Sequence, residues 1–475
     1  MITRREALLT GLFGAGAVGL RALATGLPAW FIANPRRATA QSLQCAITAT
    51  DKLQYLIVNC SSNGDPINCN CPGTYLNSSA IHPQQAEMAA TAVQLGSKSY
   101  QAALPWASTA NGGQISPAVL NRMCFFHHMT GSTVHGDQPK VMRLLGATNG
   151  GEMMVSAYAK HLSACFGTIQ QEPISVGAGG NATELISFAG RTLPAISPTT
   201  LKQLLGGSST SPLVKLRPLR DASLNELNAL AKQDATGVQS AFLDAFANTQ
   251  TQVRNLSASL SSLLSSISGD DVAGQALAAA ALIAANVTAC VAVRIPFGGD
   301  NHTDQNLQAE ADQHAGAGAA QPANTGCTGI QLIINALSSN GLTLTDKVTF
   351  ATWNVFGRNL NGIDKVTQRA GRDHYGNHSV GVMIGKNVAP GVIGGVSPLA
   401  TSAGGVTSGS LAASDIDSTS GTAVSGGDIP GVSTHLAYAR TLGVALGIPS
   451  DLVNSDLITG AGGKVVNAAL NGVSG

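Results

Sequence analysis

The chain has 475 residues, with 27 basic and 26 acidic side chains and a formal charge of +1. That length suits two or three domains or one large α/β unit with insertions, and the near-zero charge argues against nucleic acid or an anionic membrane surface as partner. Only 11% of residues are charged and 55 are glycine, against a globular average of about 25% charged. This composition describes the loop-rich, weakly charged surface common in exported proteins, and it favours self-association.

Residues 1–40 read as a leader. Thr3-Arg-Arg-Glu-Ala-Leu-Leu9 precedes an apolar run to about Leu27, and Ala38-Thr-Ala40 offers a small-residue cleavage site. The paired Arg4 and Arg5 make it a twin-arginine signal. Arg21 and Pro28 interrupt the run, which speaks against an anchor helix. The expectation is export by the twin-arginine translocase to a periplasmic or secreted location, with no stable membrane span after cleavage. In that oxidising setting Cys45, Cys60, Cys69, Cys71, Cys124, Cys165, Cys290 and Cys327 read first as disulfides, with their pairing open. Cys69 and Cys71 are the alternative as a redox or soft-metal pair.

Residues 41–475 read as a single α/β domain. A first strand, Leu53 to Asn59, stops in the turn formers Cys60-Ser-Ser-Asn-Gly-Asp-Pro66. Ligands bind at the carboxyl ends of parallel strands, so Ser61, Ser62, Asn63 and Asp65 become site candidates. Residues 80–110 look helical. Met123 to His135 carries His127, His128 and His135, which read as packing residues ahead of ligands. From Asp221, a plausible N-cap, to about Ile267, leucines and phenylalanines recur near helical spacing, defining a helical insertion over about 219–267.

The helix Val272 to Asn286 leads into an apolar strand, Thr288 to Ile295, which ends at Gly298-Gly-Asp300-Asn-His302. A helix over Cys327 to Ser339 and a strand over Lys347 to Trp353 follow, the latter ending in Asn354-Val-Phe-Gly-Arg358. Ala370-Gly-Arg-Asp-His-Tyr-Gly-Asn-His378 stands ahead of the strand Ser379 to Ile384. A Ser/Gly-rich loop or lid covers about 398–429, its Asp415, Asp417 and Asp428 fitting no EF-hand spacing. His435 opens the closing helix, Leu436 to Leu446. Alternating helices and apolar strands predict a doubly wound, mostly parallel sheet with helices on both faces.

Adjacent Asp373 and His374 pair a hard oxygen with a borderline nitrogen, a donor set for a divalent ion, and Asp300, His302 and His435 are the groups that could join them. The order of these pieces resembles the exported bacterial domain-of-unknown-function family 1501, placed within the alkaline phosphatase and sulfatase superfamily. The most specific pieces are Gly371-Arg-Asp-His374, Phe356-Gly-Arg358 and Gly299-Asp-Asn-His302, and the resemblance covers most of 45–455. It implies an alkaline-phosphatase-like sheet with Asp373 and His374 on one metal, Asp300, His302 and His435 on a second, and Asp65 completing the set. Two departures stand out: Val355 where the family carries an acidic residue, and no matched nucleophile motif around Cys60, Ser61 and Ser62.

The function expected from this reading is a metal-dependent hydrolase acting on small or polymeric anionic phosphate or sulfate esters. Two divalent ions (zinc, manganese or calcium) about 4 Å apart would supply the chemistry. Arg358 or Arg372 would clamp the anion, and Ser61 or Ser62 would be the nearest nucleophile. The alternative is a non-catalytic exported binding or surface-assembly protein on the same fold, which needs no metal. With no Gly-x-Ser-x-Gly elbow, a Ser-His-Asp esterase ranks last.

Overall fold

Runs of apolar residues without polar alternation form the strands of one mixed sheet. A computed structural model describes residues 45, 47, 49–75, 85–177, 186–206, 217–233, 235, 237, 240, 243, 258–316, 324–360, 371–398 and 411–475. The leader at 1–40, Ala370 and the centre of the Ser/Gly-rich loop at 399–410 lie outside them, as does most of 234–257. The sheet strands are β1 (Tyr55–Ser61), β2 (Met123–His128), β3 (Ile174–Val176), β4 (Ala195–Ile196), β5 (Cys290–Val293), β6 (Val348–Asn354), β7 (Ser379–Ile384) and β8 (Gly391–Ile393). Their order is β8-β2-β7-β6-β1-β5-β3-β4.

All are parallel except β7, which runs against both its neighbours, β6 and β2. Five helices cover the sheet or buttress its edge: α1 (Met154–Phe166), α2 (Val272–Ala284), α3 (Gln308–Ala315), α4 (Gly326–Ala336) and α5 (Thr434–Ala445). Successive strand side chains point to opposite faces, so each strand feeds two apolar layers. Ile57, Phe125, Val291 and Phe350 pack with Ala279 of α2 and Ile333 of α4. Leu56, Phe126, Ala292 and Trp353 pack on the other side with Tyr158 of α1 and Tyr438 of α5. The protein is therefore an α/β sheet covered on both faces, and no helix among the described residues is long and apolar enough to cross a membrane.

The lone reversed strand decides where the site lies. The carboxyl ends of β1, β2, β5 and β6 share one edge, and β7, running the other way, begins there: Ser61 pairs with Asn354, and Ser379 with His128. Residues leaving β1, β2, β5 and β6 thus meet the residues leading into β7.

Several expectations need correction. Where a helix is predicted over 80–110, Ala90–Leu95 and Lys98–Ala103 form a hairpin. Its two-residue loop starts at Gly96 with φ of +58°, a conformation that suits glycine in tight hairpins. Asp221 lies inside the helix Arg217–Gln233 rather than at its start, and Leu227 and Leu230 of that helix are exposed. Of eight cysteines, Cys45 and Cys165 form a disulfide, while Cys60, Cys69, Cys71, Cys124, Cys290 and Cys327 are buried thiols outside any disulfide. Cys60, Cys124 and Cys290 are core residues of the sheet, where a thiol packs as a small hydrophobe. Residues 411–429 are ordered around the expected aspartates: Asp417 accepts from Thr419 N and Ser420 N, Asp415 from Gly426 N and Gly431 N, and Asp428 from Ser418 N and Lys464.

Histidines line the sheet interior. His127 Nε2 lies 3.0 Å from Pro72 O, and a carbonyl only accepts, so Nε2 carries the proton. His127 Nδ1 then accepts from His378 Nε2 at 3.0 Å, and His378 Nδ1 from Asn68 Nδ2 at 3.1 Å. His435, beside Trp353, likewise donates Nε2–H to Val141 O at 3.1 Å. Burial holds His127 and His435 neutral down to about 4. The unfolded chain takes up these protons as pH falls through about 6.5 and the native protein does not until about 4, so stability is full above that window and declines within it. Thermal denaturation from about pH 7 to pH 4.5 should show a falling Tm, with roughly 1.4 kcal/mol lost per pH unit for each such histidine. A flat profile would contradict the neutral assignment.

Candidate metal centre

Four loops supply the site. Residues after β5 deliver Asp300 and His302, and their start is fixed from β1: Asp65 Oδ1 accepts from Phe297 N and Gly299 N, both at 2.9 Å. The lead into β7 delivers His374, and the residues after β6 deliver Arg358. Gly357–Arg358 pairs antiparallel with His374–Tyr375, with Arg358 opposite His374. Gly371 lets these loops touch: its φ is +147°, and a Cβ there would lie 2.0 Å from His302 O. His135, in a short turn beyond β2, closes the ring.

Asp300 is the hub. Its Oδ1 lies 2.7 Å from Arg358 Nη2, 3.0 Å from His302 Nε2 and 3.3 Å from His374 Nε2, while its Oδ2 lies 3.3 Å from His135 Nε2. His302 Nε2 and His374 Nε2 are 2.7 Å apart. The far nitrogens of two rings are tied to the backbone, His135 Nδ1 to Ser62 O at 2.6 Å and His374 Nδ1 to Thr133 O at 2.7 Å. Both must donate there, so each neutral ring presents the lone pair of Nε2 to Asp300. That is how an outer hydrogen bond fixes the tautomer of a metal-binding histidine. Ligand atoms of His135, Asp300 and His374 all lie within 4.8 Å of one another.

The residues fit a divalent ion. A tetrahedral ion with ligand bonds of about 2.0–2.1 Å places its donors roughly 3.3 Å apart, close to the 3.3 Å between Asp300 Oδ1 and His374 Nε2 and between Asp300 Oδ2 and His135 Nε2. Burial pushes the Asp300 carboxyl up, but Arg358, through its hydrogen bond and charge, with His374 and His302, overcomes this and holds it below the usual carboxylate range. Burial and the Arg358 charge lower His374, against the opposing pull of Thr133 O and Asp300, and so favour its neutral form.

Arg358 is fully buried. Its Nε donates to Gly64 O at 2.6 Å, Nη2 to Asn63 O at 2.6 Å and to Asp300, and Nη1 to Arg372 O at 3.0 Å and toward His302 Nε2 at 3.5 Å. Four of its five N–H groups donate to protein oxygens and the fifth faces His302, which leaves none for the anion clamp expected of it. Arg372 is buried against Glu310 at 2.6 Å, and Asn70 and Asn301 also donate to that carboxylate. It supports the site from behind and does not line it.

Asp300, His302 and His374 are thus brought together, and other predicted groups lie apart. Asp373 accepts from His374 N at 2.8 Å and is not among the ligand atoms that converge with Asp300. Asp65 anchors the loop after β5 instead of facing the centre. His435 lies in the apolar layer under α5, against Trp353 and His128. The Ser61 side chain is buried and accepts from Asn63 N at 3.2 Å. Ser62 is half-buried, and its hydroxyl makes no hydrogen bond among the described residues. Sequence pattern ranks His135 as a packing residue ahead of a ligand, and the structure places it in the centre. Its signal is positional: it follows a strand and the Gly131 turn, at the edge where the other strands end.

Comparison with protein-family models, curated proteins and solved structures finds no match to this chain. Fold and site together define an α/β protein with a histidine- and carboxylate-lined centre at the carboxyl edge of its parallel strands. Behind that centre, Glu310→Gln would remove the carboxylate charge that the buried Arg372 guanidinium meets at 2.6 Å. It should cost about 3–5 kcal/mol of unfolding free energy, read by urea denaturation, and a loss under about 1 kcal/mol would contradict the buried-pair account.

Proposed function

We propose that this is an exported, metal-dependent hydrolase of phosphate or sulfate esters, with a divalent ion held by His135, Asp300 and His374. The observation that carries the reading is the convergence of two backbone-oriented Nε2 lone pairs on one carboxylate at the edge where α/β proteins bind ligands. The nitrogen-rich donor set favours zinc or manganese over calcium, which prefers six to eight oxygens. A bound ion would supply Lewis acidity and a lowered pKa for water. Ser62 offers a hydroxyl on the residue whose carbonyl orients His135. His302, partly exposed beside Asp300, is placed to hold or release a proton at Nε2.

The mixed sheet, helices on both faces and edge location support membership of the alkaline phosphatase and sulfatase superfamily. The Cys45–Cys165 disulfide supports an oxidising compartment, and with it twin-arginine export.

Protein purified without chelators should carry zinc or manganese, and Asp300→Asn or His374→Ala should lose it. Activity on aryl phosphate and aryl sulfate esters should vanish with a chelator and return with the ion. Metal-free protein that is equally stable with and without Asp300 and His374 would leave the binding-protein alternative in its place. Metal affinity should also fall with acid, because His374 must be neutral to ligate. Its lowered pKa puts that loss below about pH 6.5, which metal titrations at stepped pH would show.

A further inference from the structure

We infer that this centre takes one divalent ion, and that the guanidinium of Arg358 is the second cation of the site, built into the chain. The inference rests on the metal-dependent reading and narrows it.

Donor supply comes first. Among the described residues a single group of three or more metal-ligating side chains converges, His135, Asp300 and His374. The groups that would build a second centre are engaged elsewhere. Asp65 holds Phe297 N and Gly299 N, Asp373 holds His374 N, and His435 is sealed in the apolar layer.

The position is also occupied. Two-metal sites place their ions about 3.5–4 Å apart, usually sharing a carboxylate. Here the shared oxygen, Asp300 Oδ1, already accepts from Arg358 Nη2 at 2.7 Å, and Nη1 of the same group lies 3.5 Å from His302 Nε2. A second ion drawing on Asp300 Oδ1 and His302 would have to displace the guanidinium from both.

Displacement is blocked on every side. The Arg358 side chain has no solvent exposure, and carbonyls of Asn63, Gly64 and Arg372 take its other hydrogens. Its backbone is clamped by Asn68, which accepts from Arg358 N at 2.9 Å and donates to Arg358 O at 2.8 Å. Unlike lysine, arginine cannot discharge its positive charge in a protein. The guanidinium therefore contributes a fixed +1 where a second ion would contribute +2. It also draws electron density from Asp300, so the ion bound there would be less neutralised by its ligand and more strongly Lewis acidic.

The test begins with metal stoichiometry on the full, unsubstituted chain. Protein stripped and reloaded with Zn2+ alone, or with Mn2+ alone, should hold one equivalent by elemental analysis. The Mn2+ form should give the electron paramagnetic resonance signal of an isolated ion. Asp300→Asn should lose that equivalent, which ties it to this site. Two equivalents with an exchange-coupled Mn2+ signal would overturn the inference and leave the metal-dependent reading intact. No bound ion would overturn both, and an equivalent that persists in Asp300→Asn would place the metal elsewhere and also overturn both.

Discussion

The buried guanidinium of Arg358 is the constraint on which the arrangement depends. It stands after β6 and reaches the carbonyls of Asn63 and Gly64 after β1, Asp300 after β5 and Arg372 ahead of β7. An unsatisfied donor on a buried charge is expensive, and removing one partner of such a group is strongly destabilising. Four loops are therefore held at fixed separations by one side chain, and the imidazoles of His302 and His374 are aimed by where those loops must lie.

Around that centre the supports are also polar and also buried. Glu310 on α3 holds Arg372, and Asn301, between Asp300 and His302, donates to the same carboxylate. Asn68 joins the Arg358 backbone to the chain of His378, His127 and Pro72. The apolar layers make the sheet, and these hydrogen-bonded groups determine the geometry of its edge. Such networks favour one arrangement because each partial alternative leaves a buried donor or acceptor unmet.

Much of this fold is legible in the sequence. β1, β5, β6 and β7 are apolar runs bounded by turn formers, and α2, α4 and α5 fall within a few residues of their predicted ends. β3, β4 and β8 are two or three residues long, too short to carry a periodic pattern. The hairpin at 90–103 reads as helix because its exposed edge lacks a regular apolar alternation, its outward residues including alanines. In the site, Asp300 and His302 are legible because a spacing of two lets both reach one side. Asp373 misleads because its carboxylate turns back on the backbone N–H of its own neighbour, and His435 because a histidine opening a helix carries no mark of which layer it will enter. Only the reversal of β7 brings its leading turn to the same edge as the ends of the other strands, and the direction of a strand is not written in its composition.

The place of β1 in the sheet sets an order of events in time. As the first strand among the described residues, it lies between β5 and β6, whose paired residues follow it by more than 230 positions. Contacts so distant in sequence must overcome a large loop-closure entropy before they repay it, and chains rich in them fold slowly. The nascent N-terminal half thus carries an apolar strand with both hydrogen-bonding edges open until synthesis has passed Val293, and one still open until it has passed Asn354. Shielding by a chaperone during that interval is the demand this topology makes on the cell that produces it.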